Sequence, residues 1–284
     1  MPKCAGKTAL FEGRAPPCGA AAAAAVTASS RPRRIIAAHM LVLINLESAE
    51  LRRAAMTRQL QALGCPFLRI GVDLRRVGDA AVDEALRCRF PELRFDRRVL
   101  SNAEIGCWLS HLSAWQLLLR ADAPATATVI EDDLRLAAGF ARAIDALRAR
   151  DRFDVVFLGT SSRNLSTRRR SMIHGHAVHQ PVGAIFNTWG YSISRAYARR
   201  FFSRPPRRIA LPIDHFLGGR GGAERPSIGV LQPAVVEEDA ALAAASQIGP
   251  HTRRLDRAPW FQRARRRLLA STVSEIYYSL YRYL

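Results

Sequence analysis

The run Met40-Leu41-Val42-Leu43-Ile44-Asn45-Leu46 constrains the fold more than any other stretch. Its apolar residues are unbroken from Met40 to Ile44, so a strand built from them must be covered on both faces. A helical stripe follows over residues 48–63: Leu51, Ala55, Met56 and Leu60 share a face, while Arg52, Arg53 and Arg58 lie off it. Gly64 stands where a helix takes its C′ residue. Pro66 to Ile70 reads as a second short strand. Strand, helix and strand in this order form a βαβ unit and predict an α/β sheet flanked by helices.

Further along, residues 79–100 read as a short helix near 80–88 and then polar coil. Ser101-Asn102-Ala103-Glu104 fits a capping box: the Ser101 hydroxyl caps, and Glu104 reaches back to the Ser101 amide. The helix is expected to run to about Arg120. Ile105, Leu109, Leu112 and Gln116 mark one stripe; Glu104, Cys107, His111 and Leu118 mark another. Glu104 and His111 stand seven apart and so share a face, as do Trp108 and Trp115. By residue type this is either a core helix with a capping Glu and a hydrogen-bonded His, or a helix that carries catalytic groups.

Thr128 to Ile130 is a strand that runs into Glu131-Asp132-Asp133. Such a junction is either a solvated turn or a means of presenting acid groups at the edge of a sheet. There they could hold a hard divalent cation against a phosphate. A helix is expected over 139–150 and a strand over 153–158. Residues 161–171 read as a Ser/Arg-rich loop. His174, His176 and His179 read as polar strand or loop positions, because alternation turns His179 away from the other two and speaks against a three-His metal site. A strand over 185–193 leads into a helix from Ser194 to about Phe202, ended by Pro205-Pro206. Pro212 suits a helix start with Asp214 in the first turn, where a capping or dipole role is the simplest. Residues 218–222 read as a loop. The last strand, 228–236, contains Pro233 and is therefore expected at a sheet edge.

The chain has 284 residues, enough for one large domain or two small ones, and is 49% hydrophobic. No apolar run approaches the roughly 18 residues of a spanning helix. Five Cys at 4, 18, 65, 88 and 107 show neither framework nor zinc spacing and suit reduced thiols in a cytosolic protein. The net charge of +19 is uneven: residues 1–39 carry +5 and residues 253–284 carry +6. Residues 1–39, with Pro16-Pro17 and the Ala run 20–25, are expected to be a disordered low-complexity extension. Met40 is a candidate start of the biological chain. The domain proper is expected over 40–252. Residues 253–284, rich in Arg and Tyr with Trp260 and Phe261 near their start, suit an interfacial helix on an anionic membrane surface, a helix packed on the body, or nucleic-acid contact. With most of the charge in the tails and no recognition motif present, no specific nucleic-acid partner is expected.

Several separated segments together resemble glycosyltransferase family 25, the bacterial lipopolysaccharide and lipooligosaccharide glycosyltransferases and their collagen galactosyltransferase relatives. Leu43-Ile44-Asn45-Leu46 with Arg52-Arg53 resembles the family's opening strand and helix. Leu100 to His111 is similar to its Leu-Thr-x-Gly-Glu-Ile-Gly-Cys-x-x-Ser-His signature, with Asn102-Ala103 replacing the commoner pair. Val129 to Asp133 resembles its apolar-Glu-Asp-Asp motif, Gly190 to Ser194 its Ala-Tyr-x-Ile-Ser segment, and Pro212-Ile213-Asp214 its Pro-x-Asp. The order and spacing agree over about residues 40–240, and the tails lie outside.

The resemblance implies a GT-A-type, Rossmann-like mixed sheet in a single domain. It also implies transfer of a hexose, galactose or glucose, from a UDP-sugar to a lipopolysaccharide, lipooligosaccharide or other glycan acceptor, with inversion. A divalent metal, Mn2+ or Mg2+, would steady the diphosphate leaving group. Asp133 is the expected main ligand, with Glu131 or Asp132 on metal or ribose. Asn45 and Leu46 would border the nucleotide, and Arg52 or Arg53 would meet phosphate. The base that takes the acceptor proton is expected among Asp214, Glu104 and His111, with Asp214 favoured because a carboxylate is the usual type. A cytoplasmic location, peripheral on the inner face of the membrane, follows from such an acceptor. The residues alone also suit a basic nucleic-acid-binding protein or a metal-dependent phosphoester hydrolase.

Overall fold

The computed structural model describes residues 39–147, 153–160, 165–173, 175–182, 185, 187–220 and 226–244. The expected extension over 1–39 (apart from His39), the C-terminal helix over 253–284 and His174 lie outside the described residues.

The opening βαβ unit is present: β1 (Met40–Ile44), α1 (Glu50–Ala62) and β2 (Leu68–Ile70). Gly64 closes α1 with φ +66, a conformation that costs a side chain 1–2 kcal/mol or so and glycine little. β1 pairs parallel with β2 on one side and with β3 (Thr126–Ile130) on the other. Then come β4 (Leu134–Leu136), β5 (Val155–Phe157), β6 (Leu165–Ile173), β7 (His176–Pro181), β8 (Gly190–Ser194), β9 (Ile228–Gln232) and β10 (Val236–Glu238). The main sheet has the order β2-β1-β3-β8-β5-β9-β7-β6, with β8 antiparallel between β3 and β5. A separate antiparallel ribbon joins β4 to β10.

Side chains alternate between two cores, as the period of two requires. Val42, Ile44, Val129, Phe157, Tyr191 and Val230 face one core. There they meet Trp108 and Trp115 of α3 (Asn102–Leu117) and Phe201 of α5 (Arg195–Ser203). Leu41, Leu43, Ile130, Val156 and Leu231 face the other, against Met56 and Leu60 of α1 and Phe140 and Ile144 of α4 (Phe140–Leu147). The result is a mixed sheet with helices on both sides. α2 (Asp79–Arg89) precedes α3; α6 (Ile213–His215) and α7 (Ala240–Ala243) are single turns.

Three expectations are corrected. Residues 165–173, expected within a loop that reached 171, form β6, paired antiparallel with β7. Its sequence, Leu165-Ser166-Thr167-Arg168-Arg169-Arg170-Ser171-Met172-Ile173, holds a polar run with no apolar alternation to read, and the strand is specified by its pairing with β7 at the sheet edge. The strand expected over 185–193 begins only at Gly190, because Asn187 takes φ 74 and interrupts extended backbone. β9 is not at an edge: it lies between β5 and β7, and Pro233 falls one residue beyond it, where the ladder needs no N–H.

Candidate active site

β1 has a parallel neighbour on each side: the chain passes from it through α1 to β2, then crosses back by way of α2 and α3 to β3 on its other side, so the winding reverses at β1. A crevice at the carboxyl ends of such strands is where open α/β sheets hold ligands. A cavity of about 90 Å3 lies there, bordered by Asn45 and Leu46 after β1, Asp73 and Arg75 after β2, and Asp132 after β3. A second cavity, of about 230 Å3, adjoins it and takes Asp214, Glu104, Trp189 and Glu238 into its wall. Cys107, Glu131 and Asp133 line both, so two of the three acids stand where the cavities meet, while Asp132 faces the first alone.

The first cavity is held open by α3. A Cβ at Gly106 would lie 2.6 Å from the Val72 carbonyl oxygen, so only glycine lets the helix approach the chain after β2 so closely. One turn on, the Ser110 hydroxyl accepts the Val72 N–H at 2.9 Å and donates to the Gly106 carbonyl. The helix start is the expected capping box: Ser101 Oγ accepts from the Glu104 N–H, and Glu104 Oε2 accepts the Ser101 N–H at 2.7 Å. Glu104 is thus a cap that also faces the second cavity.

The three carboxylates differ. Asp132 turns inward: its Oδ2 accepts from Asn45 Nδ2 at 2.6 Å, and its Oδ1 lies 3.3 Å from Arg52 Nη1. Asn45 also donates to the Ala49 carbonyl, which ties the start of α1 to the triplet. Asp133 Oδ2 accepts from the same Arg52 nitrogen at 3.1 Å, while its backbone carbonyl accepts the Asp239 N–H. Glu131 Oε1 accepts a short hydrogen bond from Thr188. Burial raises the pKa of all three. Glu131 is pushed to about 8, by burial first and then by the Asp133 charge, with the Thr188 hydrogen bond pulling the other way. Asp132 rises to about 6 by burial, against the pull of Arg52 and Asn45. Asp133 is raised by burial, again opposed by Arg52.

Asp214 is placed by the aromatic core. Trp108 Nε1 donates to the Leu211 carbonyl at 2.8 Å, and the Trp108 ring meets Phe216 edge-on at 5.1 Å. These contacts fix the segment on either side of Asp214, whose Oδ1 accepts the His215 N–H. The Cys107 thiol is held well above its ordinary pKa, by burial first and then by Glu131, Asp214 and Glu104, so it stays protonated and weakly nucleophilic.

Two candidate residues stand outside both cavities. Arg53 donates to Glu47 at 2.8 Å and lines neither. His111 is completely buried and lies behind Glu131, 3.8 Å from Nε2 to Oε1. Burial lowers its pKa to about 3, so its ring is neutral at physiological pH. Arg52, expected on phosphate, is engaged with Asp132 and Asp133. The site also contains residues that sequence reasoning passed over: Asp73, Arg75, Ser110, Thr188 and Glu238. Thr188 lies 57 residues from the Glu131 it contacts, and no local pattern marks it. Ser110 could have been noted, since it stands in the same motif as Glu104 and His111.

Among the described residues, no three His, Cys, Asp or Glu side chains are gathered closely enough to cage a metal ion. Mg2+-type sites rarely need such a cage: one or two carboxylates plus substrate phosphates suffice. The all-oxygen donors Glu131 and Asp133, facing one cleft and both raised in pKa by burial first, with the Asp133 charge adding to the rise at Glu131, fit a hard cation of that kind.

Fold and site together are those of a mixed α/β domain with its cleft at the carboxyl ends of β1 and β3. Residues 38–217 match the model of Glycosyltransferase family 25 (LPS biosynthesis protein), and the chain belongs to that family. It is 27% identical over 194 residues to a Glycosyltransferase 25 family member of Anopheles gambiae, covering 66% of this chain and 32% of the relative. Identity to Procollagen galactosyltransferase 1 of Danio rerio is 27% over 186 residues, 62% of this chain and 30% of that protein. The Inactive glycosyltransferase 25 family member 3 of Homo sapiens is 28% identical over 128 residues, 43% of this chain and 21% of the relative. The chain thus spans about a third or less of the length of these relatives.

Proposed function

We propose that this protein transfers a hexose, galactose or glucose, from a UDP-sugar to a hydroxyl of a lipopolysaccharide, lipooligosaccharide or other glycan acceptor, with inversion, on a GT-A-type domain. The observation that carries the reading is the pair of adjoining cavities that meet at Glu131 and Asp133. Such a pair suits a donor on one side of a reacting carbon and an acceptor on the other. The nucleotide would occupy the cavity at Asn45, Leu46 and Asp132, and the acceptor the acidic cavity at Asp214. In the transfer, the acceptor oxygen bonds to the anomeric carbon and its proton passes to a base. The bond from that carbon to the diphosphate breaks, and UDP leaves with the electron pair.

Asp214 is the base best supported by position, since it faces the acceptor cavity while Glu104 is engaged in its cap and His111 is buried behind Glu131. Asp133 and Glu131 would hold a divalent cation, Mn2+ or Mg2+, whose chemistry when bound is to offset charge on the departing diphosphate. Arg52 would move from Asp133 to phosphate as ligands enter. The basic segment 253–284 would add contact with an anionic membrane surface on the cytoplasmic side.

Since several relatives are named inactive or probably inactive, turnover itself is the test. Purified protein is assayed with UDP-galactose and UDP-glucose, with and without manganese, on glycan acceptors. Asp133→Ala is expected to abolish metal-dependent transfer while melting cooperatively near the wild-type temperature. Turnover retained in that variant would remove Asp133 from the metal role, and UDP-sugar hydrolysis without transfer would favour a hydrolase.

A further inference from the structure

Behind Glu131 lies a chain of buried polar side chains that the transfer reaction does not call upon directly. Trp115 Nε1, which can only donate, donates to the Tyr191 hydroxyl at 3.0 Å. That hydroxyl lies 2.8 Å from His111 Nδ1. Trp115, Tyr191 and His111 are all completely buried. His111 Nε2 is buried without a hydrogen-bond partner, and its nearest charged neighbour is Glu131 Oε1 at 3.8 Å.

The protons in this chain can be placed in two ways. With the imidazole proton on Nδ1, the Tyr191 oxygen would accept from both neighbours and its own O–H would lack an acceptor. The bare Nε2 would then find a partner only if Glu131 kept a proton on the facing oxygen, and the Tyr191 O–H would stay unsatisfied in either case. With the proton on Nε2, Tyr191 donates to Nδ1 and the Nε2–H points toward Glu131. Buried polar groups are nearly always satisfied, so the second arrangement is the stable one. The remaining gap to Glu131 closes with a side-chain shift of about 1 Å, to the usual N–H···O distance.

We propose that His111 is a positioning residue: Trp115 and Tyr191 fix its ring as the Nε2–H tautomer, and this N–H, together with the Thr188 hydroxyl, holds Glu131 Oε1 so that Oε2 is presented to the cleft. Two side chains approach that one oxygen, His111 from α3 and Thr188 from the segment before β8, and Tyr191 of β8 acts on it only through His111. The end of β3 alone could not set the plane of a flexible Glu side chain. His111 acts through Glu131 and touches neither sugar nor diphosphate. The proposal rests on the reading of the cleft as a glycosyl-transfer site.

The test has one arm that needs no turnover. Ring 15N chemical shifts of His111 in the metal-free protein should show a pyrrole-type Nε2 and a pyridine-type Nδ1. Tyr191→Phe, which keeps shape and removes the hydroxyl, should shift the ring toward the other tautomer. In the kinetic arm, His111→Leu should lower kcat by about 10- to 100-fold, the cost typical of losing an outer hydrogen-bond partner. The KM for the UDP-sugar should change little. His111→Gln, which keeps an N–H donor, should recover most of that loss. A purely structural role would lower the folded fraction of both variants alike, so circular dichroism and melting are recorded for each. An Nδ1–H ring in the wild type, or equal losses in the Leu and Gln variants, would overturn the proposal. If His111→Leu fails to fold, Tyr191→Phe replaces it in the kinetic arm, and an unchanged kcat there would likewise overturn it. Absence of any transfer by the wild type would defeat the functional reading, while the tautomer and its response to Tyr191→Phe would still decide the positioning claim.

Discussion

Substituting Glu131 by Gln should change how stability depends on pH, and the sign follows from the structure. The Glu131 pKa stands at about 8 in the folded protein against an ordinary value of 4.5. An acid held above its ordinary value binds its proton more tightly folded than unfolded. Its contribution is therefore fully present below about pH 4.5 and is lost as pH rises through about 8. At about 1.4 kcal/mol per pH unit, the full difference would reach about 5 kcal/mol. The side chain is 28% exposed, however, so water screens part of this, and a loss of about 2 kcal/mol is expected. Gln cannot ionise and should not show the loss.

Urea unfolding of both proteins in metal-free buffer, at about pH 5 and about pH 9, isolates the Glu131 contribution, since Asp132 and the other acids are common to the two. The variant should gain on the wild type by about 2 kcal/mol between the two conditions. Stability differences that stay parallel across this range would refute the placement of Glu131 beside Asp133 in a desolvated wall. Added manganese should restore stability to the wild type at the higher pH, by ligand linkage, and do less for the variant.

Three other substitutions probe the supports of the site. Ser101→Ala should cost about 1 kcal/mol through the lost cap, seen as a lower urea midpoint at unchanged slope. Gly106→Ala should cost about 1–3 kcal/mol, because its Cβ meets the rigid Val72 backbone, and should weaken the thermal protection given by UDP. Arg52→Met should cost about 3 kcal/mol near neutral pH by leaving Asp132 and Asp133 without their cationic partner, Asp132 keeping only the Asn45 hydrogen bond. That cost should shrink as pH falls through about 6, where Asp132 takes up its proton, and a cost that is the same above and below that pH would refute the pairing.

Local patterns in the chain determined a good deal. The unbroken run before Asn45 specified a strand covered on both faces, and β1 is buried between the two cores. Ser101 to Glu104 specified the start of α3, because a capping box closes within four residues. The junction of β3 with Glu131 marked the centre of the cleft, since an apolar strand ending in carboxylates is a contiguous signal. Other parts depended on partners distant in sequence. β9 became interior only through β5 and β7, and the loop preceding β8 was revealed by the positive φ of Asn187, neither of which a residue pattern announces. The roles within the site were also decided by the fold. Asp132 turned to Asn45, Asp133 shared Arg52, Arg53 went to Glu47, and His111 was sealed behind Glu131 by Tyr191 and Trp115. Hydrogen bonds within one helix turn or one strand end can be read from spacing. Those that join α3, β3 and β8 form only when two apolar cores bring the three elements together, so the chemistry of the triplet was set by tertiary packing.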